Sequence, residues 1–275
     1  MYQKNKEKYI IDLFCGCGGF AEGFERSGYQ SYLSADFDYW ACETFKSRFK
    51  KSKVINEDIT SDKFKAILKK QTKGVKIDGV VAGLPCQSFS SVGRAQDKFS
   101  MAKDKRNYFY KDFFECLKII KPNFFVFENV RGILSAKPNG VKIFDNILEL
   151  SKKLGYVTLD DTSKMVFDTS EYGVPQVRKR VFVIGVKKKY SNFIPKIYDD
   201  LINIYKDKKK FTVKDAISDL PPLKPGEGVE KIRVLKKNKN DYLKKITNSK
   251  FIYNHVARNH NEKDRQRYKY LSKNN

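Results

Sequence analysis

A short apolar segment near the start of the chain leads directly into a glycine-rich turn, and this combination limits the possible folds. The segment runs from Tyr9 to Phe14, the turn from Cys15 to Gly19, and a helix is predicted to start near Phe20. A second predicted strand, Tyr29 to Ala35, ends about twenty residues later in the acid Asp36. Glycines let the backbone approach a ligand closely, and an acid at this place typically holds ribose hydroxyls. The pattern indicates the nucleotide-binding opening of an α/β sheet.

A third predicted strand, Lys53 to Asn56, also ends in acids, Glu57 and Asp58. Asp58 has two interpretations. It either lies at the ligand-binding edge of the sheet or caps the helix that is predicted to begin at Ser61-Asp62. The two interpretations are compatible.

The fourth predicted strand, Val80 to Gly83, leads into Pro85 and Cys86. Proline fixes its own φ and disfavours helix in the residue before it, so Cys86 is expected just past the strand tip. Most cysteines are small buried hydrophobes, which is the alternative for Cys86. The polar residues that follow, Gln87 and Ser88, favour a thiol in the ligand crevice, where a stabilised thiolate can act as a nucleophile.

The fifth predicted strand, Phe124 to Phe127, is followed by Glu128. This glutamate is either solvated at the edge of the sheet or held in the same crevice as Cys86. Cys86 and Glu128 can both take part in catalysis and follow consecutive predicted strands, which favours the position in the crevice. A desolvated glutamate there would have a raised pKa, suited to proton donation.

Composition narrows the possible classes of protein. The 275 residues, 40% of them hydrophobic, can form one large domain or one domain with an appendage. No apolar stretch is long enough for a membrane span and no secretory signal is seen, so we expect a cytoplasmic enzyme. The net charge of +24 indicates a polyanionic partner, although a general bias toward lysine codons would also produce it.

The cysteines and histidines do not predict a metal site. The five cysteines are odd in number and lack Cys-x-x-Cys spacing, which favours neither a disulfide framework nor zinc. Cys15 and Cys17 are interpreted as packing residues of the turn. His255 and His260 have no acids or cysteines at ligand spacing.

Four motifs together resemble the DNA (cytosine-5)-methyltransferase family, bacterial type, in its order and at its spacing, over residues 9 to about 187. The resemblance implies an α/β fold, a doubly wound and mostly parallel sheet of the Rossmann-like methyltransferase kind. It also implies S-adenosylmethionine as cofactor. The motifs are Asp12 to Gly19, Gly83 to Ser90, Glu128-Asn129-Val130 and Tyr172 to Arg180.

The resemblance assigns a set of residues to the cofactor. Asp36 stands where the family usually has Glu for the ribose, and Phe37 where an aromatic residue packs on adenine. Asn107, after Arg106, departs from the family's usual glycine, which would change how the preceding loop is hinged. The full set is Phe14, Gly16, Cys17, Gly19, Asp36, Phe37, Asp58, Ile59, Pro85 and Phe109.

The resemblance also implies a mechanism for a cytosine flipped out of double-stranded DNA. The Cys86 thiolate adds to carbon 6 while Glu128 hydrogen-bonds or protonates ring nitrogen 3, and carbon 5 then takes the methyl group. Arg180 resembles the arginine that holds the base's carbonyl oxygen, and Arg178 supports the thiol and its loop. The two arginines are expected to share one face of a strand. Their alternative is phosphate contact or a solvated strand face.

The sequence predicts two regions, a catalytic domain at 1–186 and a lysine-rich extension at 187–275 leading toward a target-recognition region. The family continues with that region and a last motif carrying a Gly-Asn-Ser type turn, which these 275 residues do not contain. Either a second polypeptide supplies them, as in a split restriction-modification enzyme, or the sequence is a fragment. The alternative function is a non-catalytic DNA-binding or assembly subunit that retains the fold.

Overall fold

The computed structural model describes residues 7–85, 104–204, 206, 209–233, 240–247 and 249–274. Within these residues a large sheet has the strand order β3-β2-β1-β4-β5-β8-β6, with β7 paired to β8. Strands β1 to β5 pair in parallel, and β8 runs antiparallel to β5, β6 and β7. The strands are β1 (Lys8–Leu13), β2 (Tyr29–Asp36), β3 (Lys53–Asn56), β4 (Gly79–Gly83), β5 (Phe124–Val130), β6 (Tyr156–Thr158), β7 (Val166–Asp168) and β8 (Lys179–Lys187).

Helices connect the parallel strands, and a second, two-stranded antiparallel sheet lies later in the chain. That sheet pairs β9 (Gly228–Arg233) with β10 (Phe251–Val256). The described helices are α1 (Gly19–Arg26), α2 (Tyr39–Arg48), α3 (Asp62–Thr72), α4 (Phe109–Ile120), α5 (Ile143–Lys153), α6 (Phe193–Asn203), α7 (Val213–Ile217), α8 (Asp241–Ile246) and α9 (Glu262–Asn274).

The central strands are buried on both faces. Ile10 and Ile11 are neighbours in β1, and Val80 and Val81 are neighbours in β4, yet all four are fully buried. Because successive side chains of a strand point to opposite faces, the sheet must be covered on both sides. This confirms the doubly wound, mostly parallel sheet that the sequence predicts.

Two elements also agree with the sequence prediction, and a third, α7, is capped by its own residues. Strand β3 has the predicted bounds, and α1 begins at Gly19, one residue before the predicted start. In α7 the Thr212 side chain accepts from the Asp215 backbone and the Asp215 side chain accepts from that of Thr212, which forms a capping box. These features depend on local sequence alone.

The chain forms two compact units, one of Met1–Asp168 with Arg178–Lys206 and one of Thr169–Val177 with Asp207–Asn275. Residues 187–206, which the sequence assigned to the extension, group with the first unit. In the described part of the chain every buried apolar side chain except Leu243 belongs to the first unit. None of the helices described is long and apolar enough to cross a membrane.

The glycine turn packs tightly against the helix that follows β2. Gly18 is the N-cap of α1 and has φ of 90°, in the left-handed region. A Cβ at Gly18 would collide with the ring of Phe49 and lie 3.0 Å from that of Phe45. These two rings are 4.5 Å apart, centroid to centroid, in a buried cluster with Cys15 and Ala21. Both the backbone angle and the packing therefore require glycine.

We predict that Gly18→Ala lowers the free energy of unfolding by at least about 2 kcal/mol, because the added methyl group meets both backbone strain and a filled space. Gly23→Ala is the matched control, since Gly23 lies within α1 with open space around its Cα. In the interior of a helix this change should be neutral or add up to about 1 kcal/mol. Urea unfolding checks both variants, and equal stabilities would contradict the packing argument.

Candidate functional site

Strand pairing brings the predicted site residues to one edge of the large sheet. Gly83 at the end of β4 pairs with Glu128 of β5, and Glu128 pairs on its other side with Phe182 of β8. Asp36 ends β2, and the glycine turn follows β1 between β2 and β4. The carboxyl ends of parallel strands form the ligand crevice of such sheets.

The backbone of the glycine turn is held in an unusual conformation. Phe14 has φ of 54° and Gly16 has φ of 50°, both in the left-handed region. The Gly16 amide donates to Asp36 Oδ2 at 2.9 Å, which ties the turn to the end of β2. The Phe14 ring stacks on Phe109, with the ring centroids 5.6 Å apart and the planes at 25°. Two predicted cofactor residues that are distant in sequence are thus in contact.

Asp36 is buried and its two carboxylate oxygens accept different backbone amides. Oδ1 accepts from Asp38 at 3.0 Å, and Oδ2 from Gly16. The Asn56 side chain donates to the carbonyls of Asp36 and Phe37, which fixes the chain just after β2. The Phe37 side chain is 72% exposed, so its ring is open to a ligand.

Asp58 and Ile59 lie after β3 with different surroundings. Asp58 is exposed, and its Oδ1 accepts from both the amide and the hydroxyl of Thr60 at 2.9 Å. The helix cap that the sequence allowed at Asp58 is wrong, because Ser61 caps α3 by accepting from the Phe64 amide. Ile59 is buried.

The Glu128 carboxylate forms an ion pair with Arg180. Arg180 Nε lies 2.8 Å from Glu128 Oε1, and both side chains are mostly buried. The Nε–H is poorly aligned with the oxygen, so the contact is an ion pair without a linear hydrogen bond. Burial raises the pKa of Glu128, while the charges of Arg180 and Arg178 oppose this rise.

The expectation that both arginines lie on a strand is wrong for Arg178, although the charges of both arginines act on the Glu128 carboxyl. Strand β8 begins at Lys179, so Arg180 is on the strand but Arg178 precedes it. Arg178 is exposed, and its backbone amide donates to Asp168 Oδ1 at 3.2 Å. This hydrogen bond to the end of β7 holds the Arg178 backbone, and the alternation of side chains along β8 could not reveal it.

The two cysteines of the glycine turn differ. Cys15 is buried against Ala21, Phe45 and Phe49, as the packing interpretation requires. Cys17 is exposed, so the packing interpretation is wrong for this thiol. Gly19 begins α1.

The chain leaves β4 through Leu84 and Pro85. Pro85 ends the described segment 7–85, and Cys86 lies outside the described residues. No group of three or more metal-binding side chains occurs among the residues that the structure describes.

Sequence reasoning missed two polar residues of this edge, Asp12 and Asn129. Both are only 1% exposed. Asp12 Oδ2 accepts from the Ala21 amide at 3.3 Å, and Asn129 Oδ1 accepts from Val130 at 2.8 Å. Among the described residues, Asp12 Oδ1 and Asn129 Nδ2 have no hydrogen-bond partner. A polar residue inside an otherwise apolar strand was the available sequence signal for both.

The family model for C-5 cytosine-specific DNA methylases matches residues 9–275 of this chain. The chain belongs to this family. The resemblance seen in the four motifs therefore extends along almost all of the sequence.

The share of a relative's length that this chain covers differs between relatives. A type II methyltransferase of Desulfomicrobium norvegicum is 37% identical over 258 residues, which cover 92% of this chain and 58% of the relative. A type II methyltransferase of a Picosynechococcus species is 30% identical over 236 residues, which cover 80% of this chain and 91% of the relative. The chain therefore spans less than two thirds of the first relative.

A solved structure supports the fold assignment. A crystal structure described as a prophage-encoded DNA modification methyltransferase of E. coli matches with a TM-score of 0.65 and 29% identity. The match covers 86% of this chain and 64% of that chain.

We predict that Arg180→Leu raises the pKa of Glu128 further, by about 1 to 3 units, because the buried carboxylate loses its nearest positive charge. Arg178→Leu should raise it less, since Arg178 is exposed and its charge has the smaller effect on Glu128. Carbon-13 NMR of glutamate carboxyls, with Glu128→Gln to assign the signal, measures both shifts.

The sign of the stability effect follows from the raised pKa. A carboxyl group with a raised pKa in the folded state contributes stability below the unfolded pKa, and this contribution is lost as pH rises through the folded value. The Arg180→Leu variant should therefore lose stability relative to the parent as pH rises. An unchanged Glu128 signal would show that the ion pair does not control this carboxyl.

Proposed function

We propose that this chain is the catalytic part of a DNA (cytosine-5-)-methyltransferase that uses S-adenosylmethionine. The observation that carries the proposal is the mostly buried Glu128 carboxyl, whose pKa burial raises, beside the strand that leads into Pro85 and Cys86. A carboxyl group whose pKa is raised is better suited to give a proton or hydrogen bond to a ring nitrogen. The ion-paired Arg180 supplies a positive charge at the same place.

The residues around the glycine turn fit this cofactor. A Cβ at Gly16 or Gly19 would meet no neighbouring atom of the described residues within 4 Å, which leaves room for a ligand against the backbone there. The Asp36 carboxylate suits ribose hydroxyls, and the exposed Phe37 ring suits the adenine face. Asp58, Ile59, Pro85 and Phe109 complete the proposed pocket, with Phe14, Cys17 and the turn glycines. When bound, the cofactor supplies an electrophilic methyl group.

The proposed chemistry acts on the cytosine ring. The Cys86 thiolate forms a bond to carbon 6 while Glu128 gives a proton or hydrogen bond to nitrogen 3, which makes carbon 5 nucleophilic. Carbon 5 gains the methyl group, and loss of its proton then breaks the bond from Cys86 to carbon 6. Arg180 holds the carbonyl oxygen of the base, and Arg178 supports the thiol and its loop.

The proposed substrate is double-stranded DNA. The target base must leave the stack to reach the thiol, since a paired base in a duplex is inaccessible. The net charge of +24 favours phosphate contacts. Two relatives are named type II methyltransferases, so we place the chain in a restriction-modification system acting in the cytoplasm.

We further propose that a second polypeptide completes the enzyme by supplying the target-recognition region and the last motifs. In the second compact unit Leu243 is the one buried apolar residue among those described, whereas Phe251, Tyr253, Tyr270 and Leu271 are exposed. A unit with so small a core is not expected to be stable without further packing. The match to 91% of the Picosynechococcus relative indicates that chains of similar extent exist in the family.

We expect Cys86→Ala to abolish methyl transfer to DNA while leaving S-adenosylmethionine binding nearly intact, because the thiol attacks the base and does not hold adenosine. Cys116→Ala is the matched control, since this thiol is buried in α4 and burial raises its pKa to about 12. Labelled methyl transfer and calorimetric cofactor binding distinguish the two. DNA containing 5-fluorocytosine should trap the parent at Cys86, since fluorine blocks the elimination.

A covalent adduct between the 5-fluorocytosine DNA and another cysteine would show that Cys86 is not the nucleophile. Cofactor and DNA binding without any methyl transfer, with a completing polypeptide present, would favour the non-catalytic subunit.

The proposed second polypeptide can be tested by comparing this chain alone with the two chains together. We expect the chain alone to bind S-adenosylmethionine weakly and to methylate no defined site. Adding a separately encoded polypeptide that carries a Gly-Asn-Ser type turn should strengthen cofactor binding and confer site-specific methylation, because the two chains share one pocket. Site-specific methylation by the 275-residue chain alone would overturn the split enzyme.

A further inference from the structure

The two-stranded ribbon of β9 and β10 presents aromatic and basic side chains on one of its faces. Pairing places Lys231 opposite Tyr253 and Arg233 opposite Phe251. Directly paired residues of an antiparallel ribbon lie on the same face, so these four side chains form one surface, called here the outer face. All four are exposed, and the chemistry proposed above uses none of them.

Two aromatic rings hold the Lys231 side chain in place. Its Nζ lies 4.5 Å from the centroid of the Phe251 ring and 5.5 Å from that of the Tyr253 ring. The two ring centroids are 6.3 Å apart. The electron-rich faces of the rings attract the ammonium, which gives this long side chain a preferred position. A cation that is already positioned loses less conformational entropy when it binds an anion.

No acid balances the positive charges of the outer face. None of the ion pairs among the described residues includes Lys231 or Arg233. Glu230 alternates with Lys231 along β9, so its side chain points to the other face of the ribbon. Several other cations of the second unit do pair with an acid, namely Lys209, Lys244, Arg265 and Arg267.

The chemistry of the outer face selects a polyanion as its partner. Covering two unpaired cations with an apolar protein surface would cost several kcal/mol per charge, which argues against a hydrophobic protein contact there. Phosphate groups balance such charges, and their binding releases condensed counterions. Surfaces that combine cations with aromatic side chains are typical of nucleic-acid binding. The net charge of +24 favours the same class of partner.

We propose that the outer face of the ribbon binds the sugar-phosphate backbone of DNA, with Lys231 and Arg233 each contacting a phosphate and the two rings positioning Lys231. This inference rests on the proposed DNA substrate and names a surface of the second unit that contacts it. Contacts to phosphate fix the register and orientation of a protein on the duplex but carry no sequence information. The outer face therefore adds affinity without selectivity.

The test measures how the affinity of the 275-residue chain for duplex DNA depends on salt. The logarithm of the binding constant falls linearly with the logarithm of the salt concentration, by about 0.9 per neutralised phosphate. We expect Lys231→Met and Arg233→Met each to reduce this slope by about 0.9, because each variant loses one phosphate contact. Lys231→Arg keeps the charge and should keep the parental slope.

Lys189→Met is the matched control for the loss of a ring-held charge. Lys189 is exposed and its Nζ lies 4.7 Å from the centroid of the Tyr190 ring. It follows the end of β8 that is distant from Glu128. This variant should keep the parental slope. A reduction as large as that of Lys231→Met would overturn the proposal, since the effect would then follow net charge alone.

The role of the rings is tested by combining Phe251→Leu with Lys231→Met. In the parent, Phe251→Leu should weaken DNA binding about two- to fivefold without changing the slope, because the ring acts through the ammonium. In the Lys231→Met background it should have no further effect. An equal loss in both backgrounds would refute the positioning of Lys231 by the ring.

Two other outcomes separate this inference from the proposed substrate. Parental slopes in both Lys231→Met and Arg233→Met, with DNA binding intact, would overturn the phosphate contacts alone. A parent chain that binds no duplex DNA even at low salt would refute the proposed DNA substrate itself. The substituted side chains are exposed, so the variants should fold, which thermal unfolding checks. If Lys231→Met does not fold, Lys231→Gln also removes the charge and has the same expected slope.

Discussion

Parallel pairing of β1 with β2 and β4, and of β4 with β5, is the constraint on which the candidate site depends. It places the carboxyl ends of four strands that neighbour each other in the sheet along one edge. Gly83 therefore pairs with Glu128, and the glycine turn lies beside Asp36. A shift of one residue in any pair would turn its side chains to the other face. Apolar residues are buried on both faces of β1 and β4, which places these strands in the interior of the sheet.

The electrostatics of this edge differ along its length. At the β5 end, Glu128 is balanced by Arg180 on the neighbouring antiparallel strand. At the β1 end, the Asp12 and Asp36 carboxyl groups accept only backbone amides within the described part of the chain. Burial raises the pKa of Asp12 and of Glu128, but a neighbouring guanidinium opposes the rise only for Glu128. The two ends of this edge therefore differ in how the charge of their buried acid is balanced.

The two compact units have different physical character. The first holds nearly all the buried apolar residues described, including the Phe125 and Phe127 rings of β5. The second consists of short helices and a two-stranded sheet, in which Lys231 lies over the rings of Phe251 and Tyr253, 4.5 and 5.5 Å from their centroids. Two strands alone are marginally stable in water. The described part of the second unit therefore has little hydrophobic core of its own.

The sequence by itself determined the five parallel strands, the glycine turn and the family, because these depend on local patterns and on motifs in fixed order. It also indicated Asp36 and Glu128 as acids at strand ends, and placed α1 and β3 almost correctly. It could not show that Phe14 stacks on Phe109 or that Arg178 precedes β8, since these depend on pairing between distant segments. Only the tertiary structure showed that Asp12 Oδ1 has no hydrogen-bond partner among the residues described, because whether a buried polar atom is satisfied depends on all its neighbours in space.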